Sequence, residues 1–372
     1  MRNCACGKRR RHKGRSPRTV LTAAGHVTLS RVYFACNACS TGEYALDLRV
    51  GITEFASPQA RRLLALAAAS WSFAGAEKHL QQFCGLSVSA SKIREVAQQA
   101  GRQIAEWQRT ADAARQPFRE ASGDVEFQTD GTSVNTWEGW REMKIGLFLK
   151  RERGDAATPD EWNTRSLPAP HARLAFAAIE KCDRFCSRWG RWSKRLGIDD
   201  PSQVSVLADG ARWIWDRAER EFPGSSGVLD IYHGSEHIAA TAKTLYGEGS
   251  SLASEWTDAG RQALLHGGWS HLNLQIAAAE AEGGLTAAAE KSLQELAGYF
   301  TNQSRHLNYK ERLAAGRSIG SGAVEGAAKN LIGRRLKQTG ARWRVRRVNR
   351  MATLCSAFYS DHWDAYWNSV QN

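Results

Sequence analysis

The chain has 372 residues, with 51 Lys and Arg against 38 Asp and Glu, a net charge of +13 and 42% hydrophobic residues. That apolar content can bury a core and excludes wholesale disorder, and the length suits two or three domains. The basic excess favours a polyanionic partner, most simply nucleic acid. It is concentrated at two ends. Met1 to Gly42 and Gly326 to Ser360 each carry nine Lys or Arg and no acid, while the remainder sums to −5.

No stretch approaches about 18 consecutive apolar residues, so no membrane-spanning helix is expected. The basic N-terminus lacks the apolar core of a secretory signal. The expected location is therefore cytoplasmic and nucleoid-associated, where the eight cysteines stay reduced.

The first feature in the chain is a pair of cysteine pairs, Cys4-Ala-Cys6 and Cys36-Asn-Ala-Cys39. Between them Val27–Phe34 alternates like a strand. Tetrahedral zinc takes four N or S ligands, and each tight pair supplies two from one turn. A zinc-ribbon-like module over residues 1–50 is predicted, with a structural Zn²⁺. The first pair is one residue shorter than C-x-x-C, and His12 could replace one ligand. Cys182 and Cys186, one helical turn apart with no second pair facing them, read as core.

Residues 51–115 read as a small helical domain with helices over 61–71, 73–83 and 89–107. Ser89 would cap the third, whose polar face carries Lys92, Arg94, Gln98 and Arg102. Helices around a short Gly-containing turn resemble helix-turn-helix. Residues 116–123 read as a linker. Strands are then expected over 125–134, 140–149, 173–179, 204–209 and 228–232, with helices at 185–196 and from Arg212. That order predicts a mixed α/β sheet. Residues 234–307 read as helical throughout, followed by a Gly/Ser turn at 317–322 and a basic helix over 323–338.

Two predicted strands end in Asp-Gly, at Asp130-Gly131 and Asp209-Gly210, and Glu325 opens a helix after a glycine loop. An acid at a strand's carboxyl end points out of the sheet rim, and the glycine permits close approach. Three converging acids cannot all stay charged without cations, and two Mg²⁺ (or Mn²⁺) ions would satisfy them. Paired metals are the apparatus of in-line phosphoryl transfer.

With Asp230-x-x-His233 and Gly320-Ser-Gly-Ala-Val-Glu325, these motifs make most of the chain resemble the bacterial insertion-sequence transposases of the ISKra type. These belong to the mutator-like group of DDE enzymes. The resemblance implies an RNase H-like core and a metal-binding triad of Asp130, Asp209 and Glu325. It matches Asp230 and His233 to the family's C/D-x-x-H motif. It also implies a helical insertion, which the 116 positions from Asp209 to Glu325 accommodate. The implied activity is metal-dependent DNA strand cleavage and transfer on transposon ends and target duplex, by a homo-oligomer on DNA with no membrane partner.

The domains expected are 1–50, 51–115, 120–233 (core, first part), 234–307 (insertion), 308–345 (Glu helix and basic segment) and 346–372 (helical tail). The candidate DNA contacts are Arg9, Arg10, Arg11, Lys92, Arg94, Arg334, Arg335, Lys337, Arg342, Trp343 and Arg344, with Trp343 the stacking candidate. Two rival readings remain. His233-Gly-Ser-Glu236-His237 matches the H-x-x-E-H signature of a zinc peptidase. A non-catalytic zinc-containing DNA-binding protein derived from a transposase would keep only the first two modules.

Overall fold

The computed structural model describes residues 3–49 and 55–371. The expected boundary at 50/51 lies outside the described residues. Two compact units emerge: Met1–Ala114 with Ile332–Asn372, and Arg115–Leu331.

The first unit opens with an antiparallel sheet of β1 (Arg11–Thr22), β2 (Gly25–Ala35) and β3 (Gly42–Tyr44), in that order. The expected strand at Val27–Phe34 lies in β2; β1 was not expected, because its positions are mostly polar and only Val20 and Leu21 are buried. Helices α1 (Ala45–Arg49), α2 (Pro58–Ser70), α3 (Phe73–Cys84) and α4 (Ala90–Thr110) follow. The hydroxyls of Ser57, Ser72 and Ser89 cap the last three by accepting N–H groups of Ala60, Gly75 and Lys92. Gly85, at φ 66°, ends α3 in the left-handed conformation.

The second unit begins with α5 (Gln116–Glu120), a helix where a linker was expected; it forms because Phe118 finds a buried site. β4 (Asp124–Thr136) and β5 (Gly139–Arg151) make a long hairpin, and β6 (Ala172–Ala178) pairs antiparallel with β5. After α6 (Cys182–Arg195), β7 (Val204–Ala208) lies parallel to β4. After α7 (Arg212–Glu221), β8 (Ser226–Leu229) lies parallel to β7. The sheet order is β6-β5-β4-β7-β8. The last strand stops at Leu229, not 232, because Asp230 caps α8 (Ile231–Tyr246). Helices α9 (Ser251–Ala281), α10 (Ala287–Gln303), α11 (Tyr309–Ala314) and α12 (Gly322–Ala327) complete the unit.

Two apolar layers flank this sheet. Phe127, Phe148, Trp189 and Phe222 pack with α6 and α7 on one face, the Phe127 and Trp189 rings 4.8 Å apart. Leu207, Leu229, Ile238, Leu264 and Phe300 join α8 to α11 on the other. Cys182 and Cys186 lie in or against the first layer, as a core reading requires.

The expected basic helix is not one regular α-helix. Beyond α12 it runs through a π-helical stretch, Ala328–Gly333, into the short α13 (Arg334–Leu336). α14 (Val345–Tyr359) and α15 (Trp363–Gln371) belong to the first unit rather than forming a tail. The reason is apolar: Val348, Met351, Leu354 and Trp367 are at most 2% exposed.

Candidate functional site

The four N-terminal cysteines converge. Their Sγ atoms all lie within 4.8 Å of one another, with Cys4 3.4 Å from Cys39 and Cys6 3.5 Å from Cys36. A tetrahedron of thiolates about 2.3 Å from zinc has edges of about 3.8 Å, so the set fits this ion. The short first pair is made competent by a tight turn. The Cys4 N–H donates to Lys8 O, and Gly7, at φ 81°, donates back to Cys4 O. In the second turn, Cys36 N–H donates to Thr41 O and Ser40 takes φ 57°. Backbone N–H groups aim at the sulfurs. That of Cys6, then the Thr41 hydroxyl, hold Cys4 well below the usual thiol range. Those of Cys39 and Ala38 lower Cys36 as well. His12 is not part of this set; its ring packs against Phe34.

In the second unit the acids are placed by strand register. β4 and β7 pair from Val125↔Val204 to Gln128↔Leu207, so Asp130 and Asp209 each lie two residues beyond the last pair. Asp130 is not at a strand end as expected. β4 runs on to Thr136, paired with β5, and only its parallel ladder stops there. Asp209 does lie just past its strand, where its carboxylate accepts the Ala211 N–H at 3.0 Å. Gly210 takes φ 89°, and a Cβ there would lie 2.7 Å from both Leu229 and the Tyr299 hydroxyl. α10 braces this turn: Tyr299 donates to Asp209 O at 3.1 Å and Gln303 to Gly210 O at 2.7 Å.

Burial, and then the negative charges of Asp209, Glu325 and Glu142, push the Asp130 carboxyl above its ordinary range, against the Gly131 N–H that donates to it at 2.6 Å. Asp209 and Glu325 thus lie within electrostatic reach of Asp130. The three are more widely spaced than the thiolates; among the described residues only the cysteines gather three or more ligand atoms within 4.8 Å. Glu325 is in the first turn of α12, about half exposed, with Lys329 3.9 Å away. Glu142 is a fourth acid that the motif reading missed. It sits on β5 beside Gly131 and pairs with Lys144.

A buried polar network fixes the segment carrying Glu325. Glu126, Gln128 and Asp130 share one face of β4, since alternate residues point the same way. Gln128 Oε1 accepts the Val324 N–H at 3.0 Å, and Glu126 accepts the Ser318 hydroxyl. Arg312, 3% exposed, donates to Ser318 O at 2.7 Å. Asp230 completes the frame. One of its oxygens accepts the N–H groups of Tyr232 and His233, at 2.7 and 3.1 Å. The other accepts the N–H and hydroxyl of Ser321, both at 2.5 Å. With four donors on a 2% exposed carboxylate, Asp230 positions the site rather than acting in it. The even-numbered polar residues of β4 were the available sequence signal, but alternation reads them as a solvent face.

His233 faces Glu236 at 3.4 Å, and its ring lies edge-on to His237, which stacks on Tyr299 with ring centres 3.9 Å apart. No third ligand joins these histidines in a compact group among the described residues, which disfavours the peptidase arrangement.

The candidate DNA contacts divide. Arg9, Arg11, Arg94, Arg334, Lys337, Arg342 and Arg344 are exposed. Lys92 is exposed and paired with Glu95 at 2.8 Å. Arg10 is drawn inward to Glu43 at 3.0 Å. Two candidates are corrected by burial. Arg335 is 2% exposed, donates to Ala68 O, and lies over the rings of Phe73 and Trp343. Trp343 is 8% exposed and donates its indole N–H to Leu336 O at 3.0 Å. Neither can stack on a base or reach a phosphate from there. Gln98 is also inside, donating to Arg347 O at 3.0 Å.

No protein-family model and no curated protein matches this sequence.

Proposed function

We propose that the chain is a DNA transposase with an RNase H-like core, cutting and joining DNA through Asp130, Asp209 and Glu325. The observation that carries this reading is the geometry of the three acids. Two stand level just beyond the parallel pairing of β4 and β7, and the third rides a helix whose approach is tied to β4 by Gln128 and Glu126 and to the start of α8 by Asp230. The sheet order and strand directions, with helices between the last strand and the Glu helix, support the same core.

Asp130, Asp209 and Glu325 would hold two Mg²⁺ ions, since hard carboxylate oxygens suit that ion and a two-ion site spreads its ligands over roughly 8 Å. Such ions supply charge to the attacking and leaving oxygens of an in-line displacement. The protein's own part is placement. Gly131 lets Glu142 lie close to β4, Gly210 lets Leu229 and Tyr299 close on the Asp209 turn, and the α10 contacts hold that turn. The cysteine module, read as a zinc ribbon, and α2 to α4, read as a helix-turn-helix, would hold duplex DNA.

The test is a cleavage assay on a duplex carrying the element's end, with Mg²⁺. Asp130→Asn and Asp209→Asn should each lower strand cleavage by roughly a hundredfold or more while leaving duplex binding intact. Cleavage undiminished in both variants would reject the reading.

A further inference from the structure

We infer that α4 and α14 together build a phosphate-binding surface from Arg102, Arg346, Arg347 and Arg350, which takes the backbone of double-stranded DNA. In the sequence Arg102 lies on the polar face of one helix and the other three in the basic C-terminal stretch; they form one surface only because two remote helices cross. Gly101 makes the crossing close: a Cβ there would lie 2.3 Å from the Arg350 carbonyl oxygen. Gln98, one turn earlier, donates to the Arg347 carbonyl from the same face of α4. Arg102 is thereby set beside α14, whose Arg346, Arg347 and Arg350 occupy neighbouring helix positions.

Arg102, Arg346 and Arg347 are exposed and Arg350 is half-buried. The carboxylates closest along α4 are engaged elsewhere, Glu95 with Lys92 at 2.8 Å and Glu106 with Arg109 at 2.5 Å. Gly326 to Ser360 holds no acid at all. Burial and the charges of Arg346, Arg102 and Arg347 depress the pKa of Arg350, so those three guanidinium groups lie within repulsive reach of the fourth. Like charges so gathered destabilise the fold. A polyanion relieves that repulsion, and DNA is the polyanion if the transposase reading, on which this part rests, holds.

The experiment uses the full chain and a 20-bp duplex of arbitrary sequence, with binding followed by fluorescence anisotropy across a NaCl series. Each lost phosphate contact removes about 0.9 from the log–log salt slope. The combined Arg102→Gln, Arg346→Gln, Arg347→Gln variant should flatten the slope by roughly two to three units on any sequence. At low salt its Tm should rise by about 1–2 °C as repulsion is removed. The single Arg346→Gln variant should lose about one unit, and the triple Lys variant should keep the full slope. Unchanged slopes, or weaker binding together with a lowered Tm, would overturn the surface. So would a wild-type chain that does not bind the duplex. Wild-type binding that depends on Arg102, Arg346 and Arg347 without any Mg²⁺-dependent cleavage would leave the surface standing and sink the transposase reading.

Discussion

Asp230 shows how a motif residue and its role separate. Its position three before His233 marks it in the sequence, yet its oxygens are taken by Tyr232, His233 and Ser321. Asp230→Ala would strip an N-cap and leave the Ser321 donors unpaired in the interior, a loss of roughly 3 kcal/mol. Asp230→Asn keeps one acceptor oxygen and should lose about half as much. Urea denaturation of both variants checks this, and an unshifted midpoint for Asp230→Ala would contradict the clamp. The acids were legible because Asp-Gly pairs and a Glu after a glycine loop are local signals. Gln128, Glu126 and Arg312 were not, because a polar residue on a strand or helix reads as exposed until its buried partner is known.

At the scale of elements, the two cysteine turns are the most legible part of the chain. Spacing alone brings two sulfurs to each turn, and the β1–β2 hairpin then closes the turns on each other. The purified chain should carry one zinc, and Cys36→Ser should abolish it and loosen β1 to β3. Metal analysis with a hydrogen-exchange map of residues 3–49 checks both, since structural zinc contributes folding free energy directly. A chain that retains protected strands after chelation would show the sheet needs no metal. Helix ends were legible too, Ser89 above all, because capping is decided by one side chain and the next turn. Strand ends were not. β4 continues past Asp130 because β5 still pairs with it, and pairing is a property of two segments.

For the whole molecule, the first unit is discontinuous, built from Met1–Ala114 and Ile332–Asn372. Its helices α2 and α4 bury their apolar faces partly against α14, and Arg335 is sealed among Ala68, Phe73 and Trp343. A chain ending at Leu331 should therefore lose the cooperative unfolding of α2 to α4 while keeping the sheet of the second unit. Arg335→Ala in the full chain should cost about 2–3 kcal/mol, since it empties a buried site and leaves the Ala68 carbonyl without its donor. Denaturation followed by circular dichroism distinguishes these outcomes from wild-type behaviour.

The sequence by itself determined the features carried by near neighbours: the cysteine pairs, the capped helices, the order of the five strands of the second unit and the two basic ends, and it offered the three acids as candidates. These follow from spacing, periodicity and charge, which act over a few residues. Only the tertiary structure decided that Asp130 lies mid-strand, that Asp230 is a clamp, that Arg335 and Trp343 are buried, and that Arg102 meets Arg350 across two helices. Those outcomes depend on register and on which apolar faces meet, and both are settled by contacts between residues far apart in the chain.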